Sequence, residues 1–174
     1  MRVIGLAGWS GAGKTTLIKR LIPELNRRGF TVSTIKHAHH SFDVDQPGKD
    51  SYEHRAAGAS EVIVASAKRI ALMRELREAP EPALAELLRM VAEVDIVIVE
   101  GFKRDPIPKL EVFREANAKP PLQPQDPFIV AIVSDGAPRP GLPHAPLDDI
   151  GAVADLTLSL AKPVAEALGR LRGT

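Results

Sequence analysis

The chain has 174 residues, 44% apolar and 26% charged, which suits one globular domain; with aromatics at only 4%, its core must be aliphatic. Its 23 Lys+Arg against 22 Asp+Glu leave a formal net charge of +1, too weak a field to point to nucleic acid or a membrane surface. Zero cysteines exclude disulfides, Cys-ligated zinc, iron–sulfur clusters and cysteine nucleophiles, and no run approaches the roughly 18 apolar residues of a membrane span. The start, Met1-Arg2 before an apolar stretch to Trp9, faintly mimics a signal peptide. Its glycines and the Gly-Lys-Thr that follows fit a strand and loop better, so the chain reads as cytoplasmic and unprocessed.

Residues 3–7 form a short apolar run ending in glycines, and residues 14–28 place Leu17, Ile18, Leu21, Ile22 and Leu25 on one helical face. Gly29 ends that helix, and the β-branched residues 31–35 supply a second strand, closing a right-handed βαβ unit with parallel strands. Residues 36–50 are too polar to be core and read as a functional loop or a disordered one. A short helix is predicted over 51–57. Residues 61–65 and 70–73 read as strands separated by four residues, so they must pair antiparallel, a hairpin attached to an otherwise parallel sheet. Pro80 and Pro82 open a helix running to Val91, and residues 95–100 read as a fully buried strand. Ten of the fifteen prolines fall between Pro106 and Pro146, which favours irregular connections over about 104–147. Strands are predicted at 110–113, 128–133 and 155–160, and a helix at 163–171. The architecture expected is a single α/β domain, a three-layer sandwich with a mostly parallel sheet and an added antiparallel hairpin.

Gly8-Trp9-Ser10-Gly11-Ala12-Gly13-Lys14-Thr15 matches G-x-x-x-x-G-K-[ST] at every fixed position and lies between a predicted strand and a predicted helix, as a phosphate-binding loop requires. Glycines let the backbone wrap so that successive N–H groups face phosphate oxygens, and the helix N-terminus adds partial positive charge. Lys14 can bridge the β- and γ-phosphates, and the Thr15 hydroxyl can ligate Mg²⁺. Of the acids flanking the strand at 95–100, about 16 Å apart, only Glu100 reaches the rim where the phosphate loop lies. Glu100 is therefore the candidate to hold a magnesium-bound water or polarise an attacking one, and Asp95 a solvated strand start.

The segment after the second strand must emerge on the same rim: Lys36-His37-Ala38-His39-His40, then Asp43, Asp45, Gly48, Lys49 and Asp50. The histidines leave open a metal site, a solvated role, or polar contact with phosphate or a second substrate. Asp45-Gln46-Pro47-Gly48 fits the D-x-x-G of loops that sense a γ-phosphate. The N-K-x-D sequence that reads guanine is absent, since Asn117-Ala118-Lys119-Pro120 does not match it, so base preference does not follow from the residues. The pairs Lys19-Arg20 and Arg27-Arg28 read as a solvated helix face. Lys103-Arg104, just past Glu100, has a better claim to a ligand.

Together Gly8 to Thr16, Ile35 to His40, the stretch from Asp43 through Pro47-Gly48-Lys49-Asp50-Ser51-Tyr52, and Val99-Glu100-Gly101-Phe102-Lys103 resemble the MobB family of molybdopterin-guanine dinucleotide biosynthesis adapter proteins, a family of P-loop NTPases, from the first strand to about residue 135. The resemblance implies a homodimer that binds GTP with Mg²⁺, hydrolyses it weakly, and assists the guanylyltransferase converting molybdopterin to its guanine dinucleotide. It implies Gly11, Ala12, Gly13, Lys14, Thr15 and Thr16 on the phosphates, and Thr15, Glu100 and Asp45 at the magnesium. Asp45, Gln46, Pro47, Gly48 and Lys49, with Glu100, Gly101, Phe102 and Lys103, would then complete the nucleotide site. Two other readings fit the residues. A small-molecule kinase would need an Arg-bearing lid, for which the chain offers Lys103-Arg104 and Arg114, and a nucleotide-driven metal or metallo-cofactor chaperone would use the histidines.

Overall fold

The structure, a computed structural model, describes residues 1–38, 42–138 and 140–171. In chain order the elements are β1 (Arg2–Ala7), α1 (Lys14–Arg27), β2 (Val32–Lys36), α2 (Asp50–Ala56), β3 (Glu61–Ala65), β4 (Ile70–Arg74), α3 (Leu84–Met90), β5 (Ile96–Glu100), β6 (Lys109–Phe113), β7 (Ile129–Ser134), β8 (His144–Pro146), α4 (Ile150–Leu160), β9 (Lys162–Pro163) and α5 (Val164–Leu171). Single 3-10 turns lie at Glu115–Asn117 and Gln123–Gln125. The chain divides into two compact units, Met1–His37 with Leu84–Thr174, and Ala38–Ala83.

The larger unit is built on one sheet in the order β2-β5-β1-β6-β7-β8, every neighbouring pair parallel, with the short β9 antiparallel on β1. Its central strands are buried on both faces, which is why β5 reads as an unbroken β-branched run. Alternating side chains divide between two cores. Ile4, Leu6, Ile96, Ile98, Leu110 and Val112 pack with Leu17, Leu21 and Leu25 of α1 and Val153 and Ala154 of α4. Val3, Val97 and Val99 pack on the other face with Leu84 and Leu88 of α3 and Val164 and Ala167 of α5. The expected three-layer α/β sandwich is therefore what this unit forms.

Residues 155–160, expected as a strand, belong to helix α4. Leu156, Leu158 and Leu160 alternate with polar residues and mimic a strand, but the buried positions Val153, Ala154 and Thr157 follow helical spacing. Asp149 caps the helix by accepting a hydrogen bond from Ala152 N at 2.9 Å, and the Thr157 hydroxyl donates back to Val153 O, so the buried Thr157 side chain is satisfied within the helix. The helix face read as solvated is partly engaged. Arg28 pairs with Glu24 at 2.7 Å and with Asp155 at 2.5 Å, and Arg20 pairs with Asp148 at 3.3 Å.

In the smaller unit β3 and β4 pair antiparallel in the register Glu61↔Arg74, Ile63↔Leu72 and Ala65↔Ile70. They form a separate two-stranded sheet, where the sequence reading had the hairpin added to the parallel one. A four-residue turn dictates that the strands pair with each other but carries no information on a third neighbour. The other organiser of this unit is Arg55, which holds Asp43 at 2.8 Å and Glu75 at 2.7 Å and lies over the Tyr52 ring.

Candidate functional site

The site begins where β1 runs out. Gly8 has a φ of 147°, and a β-carbon there would stand 2.5 Å from Val112 O, so only glycine lets the loop pass this close to β6. Gly13, at φ 96°, is the N-cap of α1, and the first bond into the helix is Leu17 N to Gly13 O at 2.9 Å. The N–H groups of Lys14, Thr15 and Thr16 are thus left without helical acceptors. Lys14 reaches back over the loop and donates to Gly8 O at 2.9 Å and Trp9 O at 3.2 Å. Burial lowers the pKa of its ammonium; Glu100 opposes that shift, and Lys103 and Lys36 add to it. The exposed hydroxyls of Thr15 and Thr16 have no hydrogen-bond partner among the described residues.

β5 and β2 bring the second group of expected residues. Glu100 is in register with Leu6 of β1 and Lys36 of β2, and its carbonyl accepts from His37 N at 2.8 Å. Past it the chain turns at Gly101, φ 100°, where a β-carbon would meet His37 Cβ at 2.8 Å. The turn sets the Phe102 ring 5.3 Å from the His37 ring and the Lys103 ammonium 5.5 Å above the Trp9 ring. The carboxylate of Glu100 has no hydrogen bond or ion pair among the described residues. Asp105, a little further on, has its carboxyl pKa raised by burial, with Lys109 and His37 working against the shift.

Of the expected residues, the larger unit therefore gathers Gly8, Trp9, Ser10, Gly11, Ala12, Gly13, Lys14, Thr15, Thr16, Lys36, His37, Glu100, Gly101, Phe102 and Lys103. His39 and His40 lie outside the described residues. Among those described, no group of three or more His, Asp or Glu side chains is arranged to hold a metal ion. Asp45, Gln46, Pro47, Gly48 and Lys49 fall in the smaller unit, where they form the turn into α2. The Asp45 carboxylate there accepts from Ser51 Oγ at 2.9 Å and Gln46 N at 3.0 Å and approaches Arg55 at 3.4 Å, with only 9% of the side chain exposed. As a magnesium ligand, its expected role, Asp45 would have to give up contacts that fasten this turn.

The proline-rich segment holds residues the sequence reading missed. Asn117 Nδ2 donates to Ser10 O at 2.9 Å, and the Trp9 indole donates to Pro120 O at 2.7 Å, so a strap from 114 to 122 is latched to the phosphate loop. Two buried charges on β6 anchor the segment. Glu111, fully buried, accepts from Leu122 N at 2.6 Å and Gln123 N at 3.0 Å. Lys109, 2% exposed, donates to Lys103 O and to Asp126, both at 2.9 Å. A cleft of about 320 Å³ opens between Lys103–Arg104 and residues 122–128. Sequence offered no signal for these latches except the placement of Lys109 and Glu111 in an otherwise apolar strand.

The donor set suits a polyphosphate: loop N–H groups, a helix N-terminus, a lysine ammonium held over the loop, and a carboxylate with a hydroxyl beside them. A family model for "Molybdopterin guanine dinucleotide synthesis protein B" matches residues 3–135. The molybdopterin-guanine dinucleotide biosynthesis adapter protein of Escherichia coli (strain K12) is 42% identical over 159 residues, 90% of this chain and 91% of that protein. The adapter protein of the same name from Haemophilus influenzae (strain ATCC 51907 / DSM 11121 / KW20 / Rd) is 43% identical over 136 residues, 76% of this chain and 74% of that protein. A crystal structure of molybdopterin-guanine biosynthesis protein B superposes with a TM-score of 0.72 at 27% identity, covering 91% of this chain and 99% of the other.

Proposed function

The chain belongs to the molybdopterin guanine dinucleotide synthesis protein B family, adapters of molybdopterin-guanine dinucleotide biosynthesis, and on that premise we propose that it binds GTP with Mg²⁺ on its phosphate loop and assists a molybdopterin guanylyltransferase. The observation that carries the reading is the loop itself, with Lys14 spanning Gly8 O and Trp9 O above helix N–H groups that have no acceptor. On binding, Lys14 exchanges those two carbonyls for phosphate oxygens, and negative charge restores the ammonium that burial disfavours. Thr15 and Glu100 are the residues that would hold magnesium, which supplies charge neutralisation at the terminal phosphate. Glu100 orients water there. Hydrolysis is weak in this reading, because the expected role is accessory to a separate transferase.

We place the chain in the cytoplasm, where GTP is supplied, working as a homodimer with the transferase as partner and molybdopterin as the transferase's substrate. The homodimer is supported by the hairpin of the smaller unit, where Ile63, Ile70 and Leu72 are 60%, 73% and 44% exposed on one face. Among the described residues no helix is long and apolar enough to cross a membrane.

Trp9 is the only tryptophan and sits inside the loop, so its emission reports occupancy. Titration with Mg·GTP and Mg·ATP tests the reading: a saturable change with GTP strongly preferred is expected, and an equal or ATP-preferring response would overturn the GTP assignment. Lys14→Ala should remain folded and lose nucleotide affinity.

A further inference from the structure

β1 runs between two parallel neighbours, β5 and β6, and they bring opposite charges to the loop. β5 ends in Glu100; β6, on the other side, pairs Gly5↔Lys109 and Ala7↔Glu111, so its exit at Phe113 comes out level with the phosphate loop. The next residue is Arg114, which keeps extended backbone (φ −130°, ψ 123°) before the 3-10 turn at Glu115–Asn117. Its guanidinium lies over Gly13: a β-carbon on that glycine would stand 3.5 Å from Arg114 Nη2 and 3.9 Å from Nε. Gly13 directly precedes Lys14 and caps α1.

Arg114 is half-buried, and no anion pairs with it among the described residues. Arg28 and Arg55 hold carboxylates, but the half-buried Arg114 side chain makes no hydrogen bond, ion pair or ring contact among the described residues. Two acids of the adjoining segments, Glu115 and Asp135, are otherwise placed. Asp135 accepts from Glu115 N at 2.9 Å, and the Glu115 carboxylate is directed at Gly136. A guanidinium that has given up part of its hydration without a partner is unfavourable in the free protein, and that is explicable where a ligand supplies the anion. Its planar fork matches two phosphate oxygens, whereas an ammonium binds as a point charge.

We propose that Arg114 is a second cation of the nucleotide site, pairing with phosphate oxygens on the side of the loop away from Glu100. The proposal rests on the reading of the loop as a nucleotide site. Since Glu100 and Thr15 take the magnesium and the terminal phosphate in that reading, Arg114 serves the phosphates nearer the nucleoside. A guanidinium there avoids repulsion by the metal ion. It therefore contributes to GDP as much as to GTP.

The test is calorimetric titration of Mg·GTP and Mg·GDP into the wild type, Arg114→Ala, Arg114→Lys and Lys14→Ala, with thermal melts of each protein alone. Arg114→Ala is expected to lose roughly 10- to 100-fold in affinity for both nucleotides, the range for hydrogen bonds to a charged group. Arg114→Lys should recover part of that loss, and the melting temperature without nucleotide should stay within about 1–2 °C, because no protein hydrogen bond or ion pair is removed. Affinities within twofold of wild type would overturn the proposal. Loss confined to GTP would overturn the side assigned. A lowered melting temperature, with Arg114→Lys as weak as Arg114→Ala, would make the residue structural and overturn it as well. If Lys14→Ala binds as the wild type does, the nucleotide reading itself fails, a result distinct from any outcome at Arg114.

Discussion

Glu111→Gln should loosen the strap over the phosphate loop while changing neither shape nor volume at the site of substitution. The carboxylate is fully buried, and each of its oxygens accepts one backbone N–H, from Leu122 at 2.6 Å and from Gln123 at 3.0 Å. Hydrogen bonds to a charged acceptor contribute about 1.5–3 kcal/mol each. Glutamine keeps one carbonyl but turns an NH₂ donor toward the other N–H, so one bond is lost and a buried donor faces a donor. The expected destabilisation is about 2 kcal/mol, which for a chain of this size lowers the melting temperature by roughly 4–8 °C. The strap carries its own reporter, since Trp9 Nε1 donates to Pro120 O at 2.7 Å, two residues from Leu122. Release of that bond should shift Trp9 emission before global unfolding. Thermal melts followed by circular dichroism and by Trp9 emission measure both effects. A melting temperature within about 1 °C of wild type, with unchanged emission, would refute the assignment of Glu111 as the anchor of the strap.

Two further outcomes follow from the same geometry. The Glu24 carboxylate is held at about 2, below its ordinary value of 4.5, first by its bonds from Arg27 and then by those from Arg28, so its contribution is present above about pH 4.5 and is lost as pH falls toward 2. The acid limb of a stability–pH profile should be shallower in Glu24→Gln, and an unchanged limb would remove the pair from the account. Ile70→Lys and Leu72→Lys place charge on the exposed face of the hairpin, where burial gives little stability to lose. They should leave the melting temperature unaltered and turn a dimer into a monomer by light scattering; a wild-type monomer at micromolar concentration would exclude the dimer outright.

The strand–loop–helix that carries residues 8–15 was legible because its requirement is local: three glycines, a lysine and a threonine at fixed spacing, between a strand and a helix. The sheet was legible for the same reason, as β1, β2, β5 and β7 announce themselves by β-branched runs. Residues 155–160 misled because leucines alternating with Thr157 and Ser159 carry a strand's period, while Asp149 and the apolar residues 150–154 carry the helix. The strap was out of reach for another reason. Asn117 meets Ser10 across 107 residues and Trp9 meets Pro120 across 111, contacts that leave no local periodicity. Lys109 and Glu111 compound the difficulty. Polar residues alternating with Leu110 and Val112 carry the pattern of a half-exposed strand, yet both charges are buried, Glu111 against Leu122 and Gln123 and Lys109 against Lys103 and Asp126.

The strap bears on how the loop would bind the proposed nucleotide. Gly8 is pressed against Val112 O, Ser10 is held by Asn117, and Trp9 is held by Pro120 and covered by Lys103, so three loop residues are fixed by segments outside the loop. Ordering a flexible loop around a ligand opposes affinity, and a loop fixed in advance has met that cost on folding. In the proposed nucleotide reading Lys14 is the part left adjustable, because its bonds to Gly8 O and Trp9 O would be exchanged for phosphate oxygens without moving the backbone. Substitutions in the strap and at Lys14 should therefore weaken binding by different routes. The first raises the cost of shaping the loop and acts alike on every nucleotide, whereas the second removes a charge and acts most on ligands with the most phosphate.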